Sequence, residues 1–266
     1  MTAALLAIAV PLLESAEAIQ LHGGARAYFE SAYQSSSGRI SYTKPVAEQW
    51  GFLSLGHEDY GQLATDFWLG SALNDQTDSS HRRAFYCYEG TLTYGNSLHL
   101  TDDVKISAWG GSIWDWLGGY KSRVGTPAGW ITEFKLDNPF VTPYVNALGF
   151  FTGTAWTRIR FGLRRTFRFF DSFAVIPFAD TTWGDGDRFR FNYGDESDRP
   201  FMRGSMMFVN VGLIAEWTFY ENFYLWGRFK QYVLIDEQAR RLMRKSDAPT
   251  ARTELSMFGL GVGFRF

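Results

Sequence analysis

The sequence predicts an all-β chain, a closed antiparallel up-and-down transmembrane β-barrel of twelve strands. Three observations predict it. Hydropathy alternates with a period of two along most of the chain after residue 20. The connections between alternating segments switch between tight turns and long loops. Beyond the first few residues, no run reaches the ~18 consecutive apolar residues that a membrane-spanning helix needs.

The alternation is cleanest near the middle and at the end of the chain. Ala155, Thr157, Ile159, Phe161 and Leu163 fall on one face of an extended segment, and Trp156, Arg158, Arg160, Gly162 and Arg164 on the other. A helix would mix the two sets around its circumference, whereas a strand separates them. Val209 to Trp217, Phe223 to Lys230 and Met257 to Phe266 behave in the same way. Twelve strands are read at 22–34, 49–58, 62–73, 83–94, 103–112, 129–136, 141–151, 155–168, 172–183, 203–218, 222–234 and 253–266. Most have the about 9–11 residues that a tilted strand needs to cross a bilayer.

The connections divide into two sets. Asp59-Tyr60-Gly61, Asp137-Asn138-Pro139-Phe140, Phe170-Asp171 and Tyr220-Glu221 are tight, and a moderate turn is expected from Gly95 to Asp102. Longer loops are expected at Ser35–Gln49, Asn74–Arg82, Gly111–Ala128, Gly184–Met202 and Asp236–Arg252, with a short exception near Thr152–Thr154. Short turns at one end and long loops at the other are the layout of a transmembrane barrel. An even strand count puts both chain ends on the short-turn, periplasmic side.

Composition agrees with a large sheet. Of 266 residues, 18% are aromatic and 27 are Gly, against 8 Pro. The net charge of −2 gives no reason to expect nucleic acid as a partner. The single cysteine, Cys87, excludes an internal disulfide and a Cys-rich metal site, and the four histidines have no metal-ligand spacing. No metal and no cofactor are expected. Residues 1–18 read as a secretory signal peptide: Ala3 to Leu13 is almost wholly apolar, and Ala16-Glu17-Ala18 places small residues before a cleavage site. No basic residue precedes Arg26, which departs from the usual pattern, and the alternative is an ordinary N-terminal helix. The barrel domain is read as 19–266.

A lipid-facing barrel explains the amphipathicity better than a soluble one. Backbone polar groups in hydrocarbon must all be paired within the protein, which strands achieve only by closing. The apolar face then meets acyl chains and the charged face lines a wet interior. A soluble eight-stranded ligand-binding barrel would leave much of the chain over. Trp50, Trp68, Tyr94, Trp130, Tyr144, Trp183, Trp217 and Tyr220 sit near strand ends, where rings anchor at headgroup level; generic strand packing is the alternative.

The final segment, Phe258-Gly259-Leu260-Gly261-Val262-Gly263-Phe264-Arg265-Phe266, resembles the closing strand of Gram-negative outer-membrane β-barrel proteins, which typically end in an aromatic residue after alternating apolar positions. The motif covers the last strand, and the strand layout extends the likeness to nearly the whole chain after residue 18. The resemblance implies residence in the outer membrane, contact with its lipids and lipopolysaccharide, and recognition of Phe264 and Phe266 by the barrel-assembly machinery. Twelve-stranded barrels include nucleoside channels, phospholipase barrels and autotransporter translocators, and the sequence matches none of these in particular.

The most distinctive side-chain pattern is the arginine row Arg158, Arg160 and Arg164, with Arg168 beyond it. Same-face neighbours on a strand lie ~7 Å apart, so these cations need anions nearby. With Arg26, Arg228 and Lys230 they form a candidate anion-attracting lining, since rings of Arg or Lys confer anion preference. Lys105, Lys135 and Arg265 share the inferred inner face, so the interior is expected to be net basic. The competing reading is a salt-bridge network with Glu30, Asp66, Glu89, Glu133 and Glu216 that stiffens or plugs the barrel. No catalytic set is expected. Ser97-Leu98-His99 does not reproduce the Ser–His–Asn arrangement of phospholipase barrels, and His22, placed inward beside Arg26 and Glu30, is the only candidate base for a hydrolase. Asp185-Gly186-Asp187 and Asp195-Glu196-Ser197-Asp198 concentrate oxygen ligands without the spacing of a calcium loop. Glu237 to Lys245 reads as a short basic helix outside the membrane, able to touch lipopolysaccharide phosphates, or as a solvated charge run. Three functions follow: passive passage of small solutes with anion preference, a structural or surface-interaction barrel with a plugged lumen, and a membrane-embedded hydrolase.

Overall fold

A computed structural model describes residues 19–34, 40–57, 59–73, 86–118, 128–151, 156–185, 204–245 and 251–266. The candidate signal peptide and most of the loop with the two acidic clusters lie outside them. The first strands are β1 (Gln20–Glu30), β4 (Val46–His57), β5 (Gly61–Ala72) and β6 (Tyr86–Thr101), with a small hairpin, β2 (Tyr33–Gln34) and β3 (Ile40–Tyr42), between β1 and β4. Then come β7 (Val104–Gly118), β8 (Ala128–Asp137), β9 (Thr142–Phe150), β10 (Trp156–Arg164) and β11 (Phe167–Phe169). The chain ends with β12 (Phe173–Gly184), β13 (Ser205–Tyr220), β14 (Phe223–Leu234), the helix α1 (Glu237–Lys245) and β15 (Glu254–Arg265).

Each long strand pairs antiparallel with its neighbours in sequence, and the sheet closes where β1 lies between β4 and β15. β11 continues β10 past Arg165 and Thr166, and both pair with β12. The result is a closed barrel of twelve staves. At the seam Gly23 and Phe266 exchange backbone hydrogen bonds of 3.1 and 2.9 Å. The Phe266 ring lies against Gly23, in space that a Cβ would occupy.

All twelve expected strands are present. The main difference falls after Tyr94. The run Gly95-Asn96-Ser97 reads as a turn from its residue types, yet β6 continues to Thr101 and the chain reverses at Asp102-Asp103. Gly95 serves space rather than a turn: a Cβ there would lie 2.4 Å from Trp109 Cδ2, so the Trp109 ring packs flat on it. Gly162 receives Tyr144, and Gly263 receives Tyr224, in the same manner. Inward glycines at these positions let rings fold against the wall.

The faces sort as the alternation requires. Phe29, Leu53, Leu63, Phe67, Leu213, Phe258, Leu260 and Val262 point outward and are exposed. Their partners in alternation, such as Tyr28, Arg158, Asp180, Trp226 and Lys230, are buried. An apolar outer surface running around the barrel is far larger than the patch a soluble monomer exposes. At the short-turn rim Phe140, Phe169, Phe170, Trp217, Phe219 and Tyr220 are all exposed, as an interfacial girdle requires. Phe170 and Glu221, each in a tight turn there, adopt positive φ of 56° and 37°. Three of the expected girdle residues are elsewhere. Trp50, Trp68 and Tyr144 sit on inward-facing positions and touch lumen side chains, because their place in the two-residue alternation outranks their nearness to strand ends.

Candidate functional site: a charged lumen

The interior holds a cavity of about 740 Å³. Its lining runs from Tyr33 and Gln34, beyond the long-loop end of β1, to Lys135, Asp137 and Thr166 at the short-turn end. Between them lie Arg26, Arg160, Arg164, Arg228 and Lys230, together with Glu89 and Glu216, all named from the alternation. Inward-facing Glu48 and Asp180 also line it. They were not anticipated: Glu48 falls one residue outside the expected strand, and Asp180 follows the same two-residue rule as its neighbours. Asp115 and Asp137 face inward as well, at register positions opposite Glu89 and Lys105. These added acids offset part of the expected basic excess along the inner face.

On the β10–β15 side, acids and arginines pair. Arg228 Nη2 donates to Glu30 Oε1, and Glu30 is 3% exposed. Arg160 Nε stands 3.8 Å from Asp180 Oδ1, which also accepts Asn210 Nδ2 at 2.9 Å. Arg265 Nη1 lies 3.5 Å from Glu216 Oε2. Arg26 has no carboxylate within ion-pair distance among the described residues; its guanidinium sits over the rings of Trp226, Tyr28 and Trp50 at 4.4, 4.9 and 5.3 Å. Arg164 lies over Tyr144 at 5.7 Å. Arg158 is buried, and Arg158 Nη2 donates to Asn146 Oδ1 at 3.3 Å while Nε and Nη1 have no acceptor among the described residues.

On the opposite side Glu48 and Asp66 are held by neutral donors. Glu48 Oε2 accepts Tyr28 Oη at 2.6 Å and Trp68 Nε1 at 2.8 Å. Asp66 Oδ2 accepts Thr91 Oγ1 at 3.1 Å. Glu133 occupies an inward position on β8 opposite Trp109, outside the cavity lining. Phe264 and Phe266 lie on the outer face of β15, with Phe264 packed on Phe223 at 5.0 Å. His22 is exposed, its ring nitrogen 3.4 Å from Gln20 Oε1, away from the carboxylate expected beside it. Ser97 Oγ pairs with Ser107 Oγ at 2.9 Å, so no Ser–His hydrogen bond forms there among the described residues.

The helix read at Glu237–Lys245 forms, and its start is set by Asp236, whose Oδ1 accepts Ala239 N at 2.9 Å and whose Oδ2 accepts Ser205 Oγ at 2.8 Å. Its apolar side, Ala239 and Met243, packs with Phe208, Tyr232, Leu234 and Met257. Those four share the inward alternation with Asn210, Lys230 and Gly259, so α1 lies against the lumen side of the wall at the long-loop end. Glu237 is exposed, and the Arg241 guanidinium one turn on holds its carboxyl below the usual carboxylate range.

A closed twelve-stranded barrel with an apolar belt and a polar lumen is the fold of an outer-membrane β-barrel. No protein-family profile and no curated protein matches the sequence. Solved structures do match in shape. An outer membrane channel from Pseudomonas putida F1 aligns with a TM-score of 0.51 at 12% identity, over 92% of this chain and 95% of that one. The KdgM porin aligns at 0.48 and 6% identity over 92% and 99%, and outer membrane phospholipase A from Escherichia coli at 0.47 and 11% identity over 91% and 92%. At these identities the likeness shows the fold alone, and only the first alignment is close enough to support even that.

Proposed function

We propose that the protein is a passive channel of the outer membrane that passes small polar solutes and favours anions along its basic wall. The observation that carries this reading is the charged cavity, lined from the long-loop end of the barrel to its short-turn end. A barrel that served only as a scaffold could fill this space with side chains, as small barrels do. On this reading the apolar belt meets outer-membrane lipid and lipopolysaccharide, and the Phe264–Phe266 end is read by the barrel-assembly machinery.

Reconstitution into planar bilayers tests the proposal. Stable ion currents are expected, with a reversal potential in a KCl gradient that favours chloride. Arg160→Ala is expected to move that potential toward cations. A wild-type protein that carries no current would overturn the proposal. It would favour a plugged barrel instead, a reading for which the lumen-side packing of α1 speaks.

A further inference from the structure

Lys230 stands out among the cations of the lumen. It is 8% exposed and lines the cavity, yet it makes no ion pair, hydrogen bond or ring contact among the described residues. The charged groups around it are Arg228 and Arg160 as cations and Glu30 and Asp180 as acids. Both acids are already engaged, Glu30 by Arg228 and Asp180 by Arg160 and Asn210. At 3.8 Å the Arg160 Nε is too far from Asp180 for a hydrogen bond, and it has no other acceptor among the described residues. Two residues along β10, Arg158 keeps Nε and Nη1 unmet.

Burying a charge without a partner is costly, and natural interiors pair such groups. Among the described residues, three cationic side chains on this side of the barrel therefore keep donors without an acceptor, Lys230 and Arg160 on the cavity and Arg158 outside its lining. An ammonium and the planar donors of guanidinium groups together match an oxyanion, which can accept several charge-assisted hydrogen bonds at once.

We propose that Lys230 and Arg160, which both line the cavity, form an oxyanion-binding station within the lumen that takes the carboxylate or phosphate group of a small solute. The station deepens the channel reading, since it gives the passing solute a place to pause. Asp180 and Glu30, held by their own partners, limit the site to anions of low charge.

The test uses the full barrel folded in detergent micelles, with inorganic phosphate and acetate each replacing chloride at constant ionic strength. The thermal midpoint Tm is expected to rise and saturate with at least one of the two, and the one that acts shows which oxyanion is preferred. Lys230→Met is expected to unfold at higher temperature than the wild type in chloride, because the unpartnered charge is gone. It should also bind the probe at least about tenfold more weakly, whereas Lys230→Arg keeps the response. If Lys230→Met does not fold, Lys230→Gln supplies the same comparison. A wild type that responds to neither probe, or a charge-free variant with an undiminished response, would overturn the station. Bilayer currents separate the two readings. Current without a probe response leaves the channel standing and removes the station. A probe response without current keeps the station and removes the channel.

Discussion

The two halves of the lumen wall carry opposite chemistry. The half formed by β10, β12, β13, β14, β15 and β1 bears Arg26, Arg158, Arg160, Arg164, Arg228 and Lys230, and each of its acids has an arginine partner. The half from β4 to β9 bears Glu48, Asp66, Glu89 and Glu133, with Glu48 and Asp66 met by Tyr, Trp and Thr donors. The lumen therefore holds a field across the barrel, and is not uniformly positive. The difference shows that a total of lumen charges hides how they are divided between the walls.

The contrast can be broken most forcefully at the Arg228–Glu30 pair. Arg228→Met leaves Glu30 buried without its partner and is expected to cost about 3–5 kcal/mol, measured by reversible urea unfolding in lipid vesicles. The corresponding surface pair of the acidic half, Lys135 with Asp137 at 3.0 Å, is partly exposed at the rim. A loss as small for Arg228→Met as for Lys135→Ala would erase the distinction between a buried pairing and a rim pairing.

Packing of rings on glycine sharpens the comparison at the next level. A Cβ on Gly162 would sit 2.2 Å from Tyr144 Cζ, whereas one on Gly110 would meet nothing closer than 3.7 Å. Gly162→Ala is expected to cost about 1–3 kcal/mol, and Gly110→Ala to stay within about 0.5 kcal/mol. Equal effects in the same unfolding assay would show that the Tyr144 ring moves aside freely.

Smaller still is Lys135→Ala, expected to change stability by about 0–1 kcal/mol. The last effect concerns α1. Its Glu237 carboxyl is held below the ordinary carboxylate range by Arg241. That contribution is present above the carboxylate range and is lost as pH falls through the lowered value. Amide protection in α1, corrected for intrinsic exchange, should weaken on such acidification. Glu237→Gln should remove the pH response, and a response that persists in that variant would place its origin elsewhere.

Several elements show where the sequence was readable. Arg160, Lys230 and Glu30 could be placed inward because polarity alternates locally, and the tight turns at Asp59-Tyr60 and Tyr220-Glu221 announced themselves by residue type. Gly95 misled, because the same glycine that favours a turn also makes room for a ring, and Trp109, which decides between them, lies on the next strand. Glu48 escaped because a strand end is set by pairing with a neighbour, here Tyr28 of β1, and not by its own residues.

By itself the sequence pointed to a barrel of about twelve strands, to the side on which most residues of each strand lie and to the end of the short turns, since a strand's alternation is a property of consecutive residues. Only the tertiary structure decided which charges meet. Arg228 reaches Glu30 across 198 residues, and the seam that brings them together exists only once β1 docks on β15. The same closure placed α1 on the lumen side, divided the charges between two walls and left Lys230 without a partner among the described residues. These depend on which strands become neighbours, a relation that no local run of residues contains.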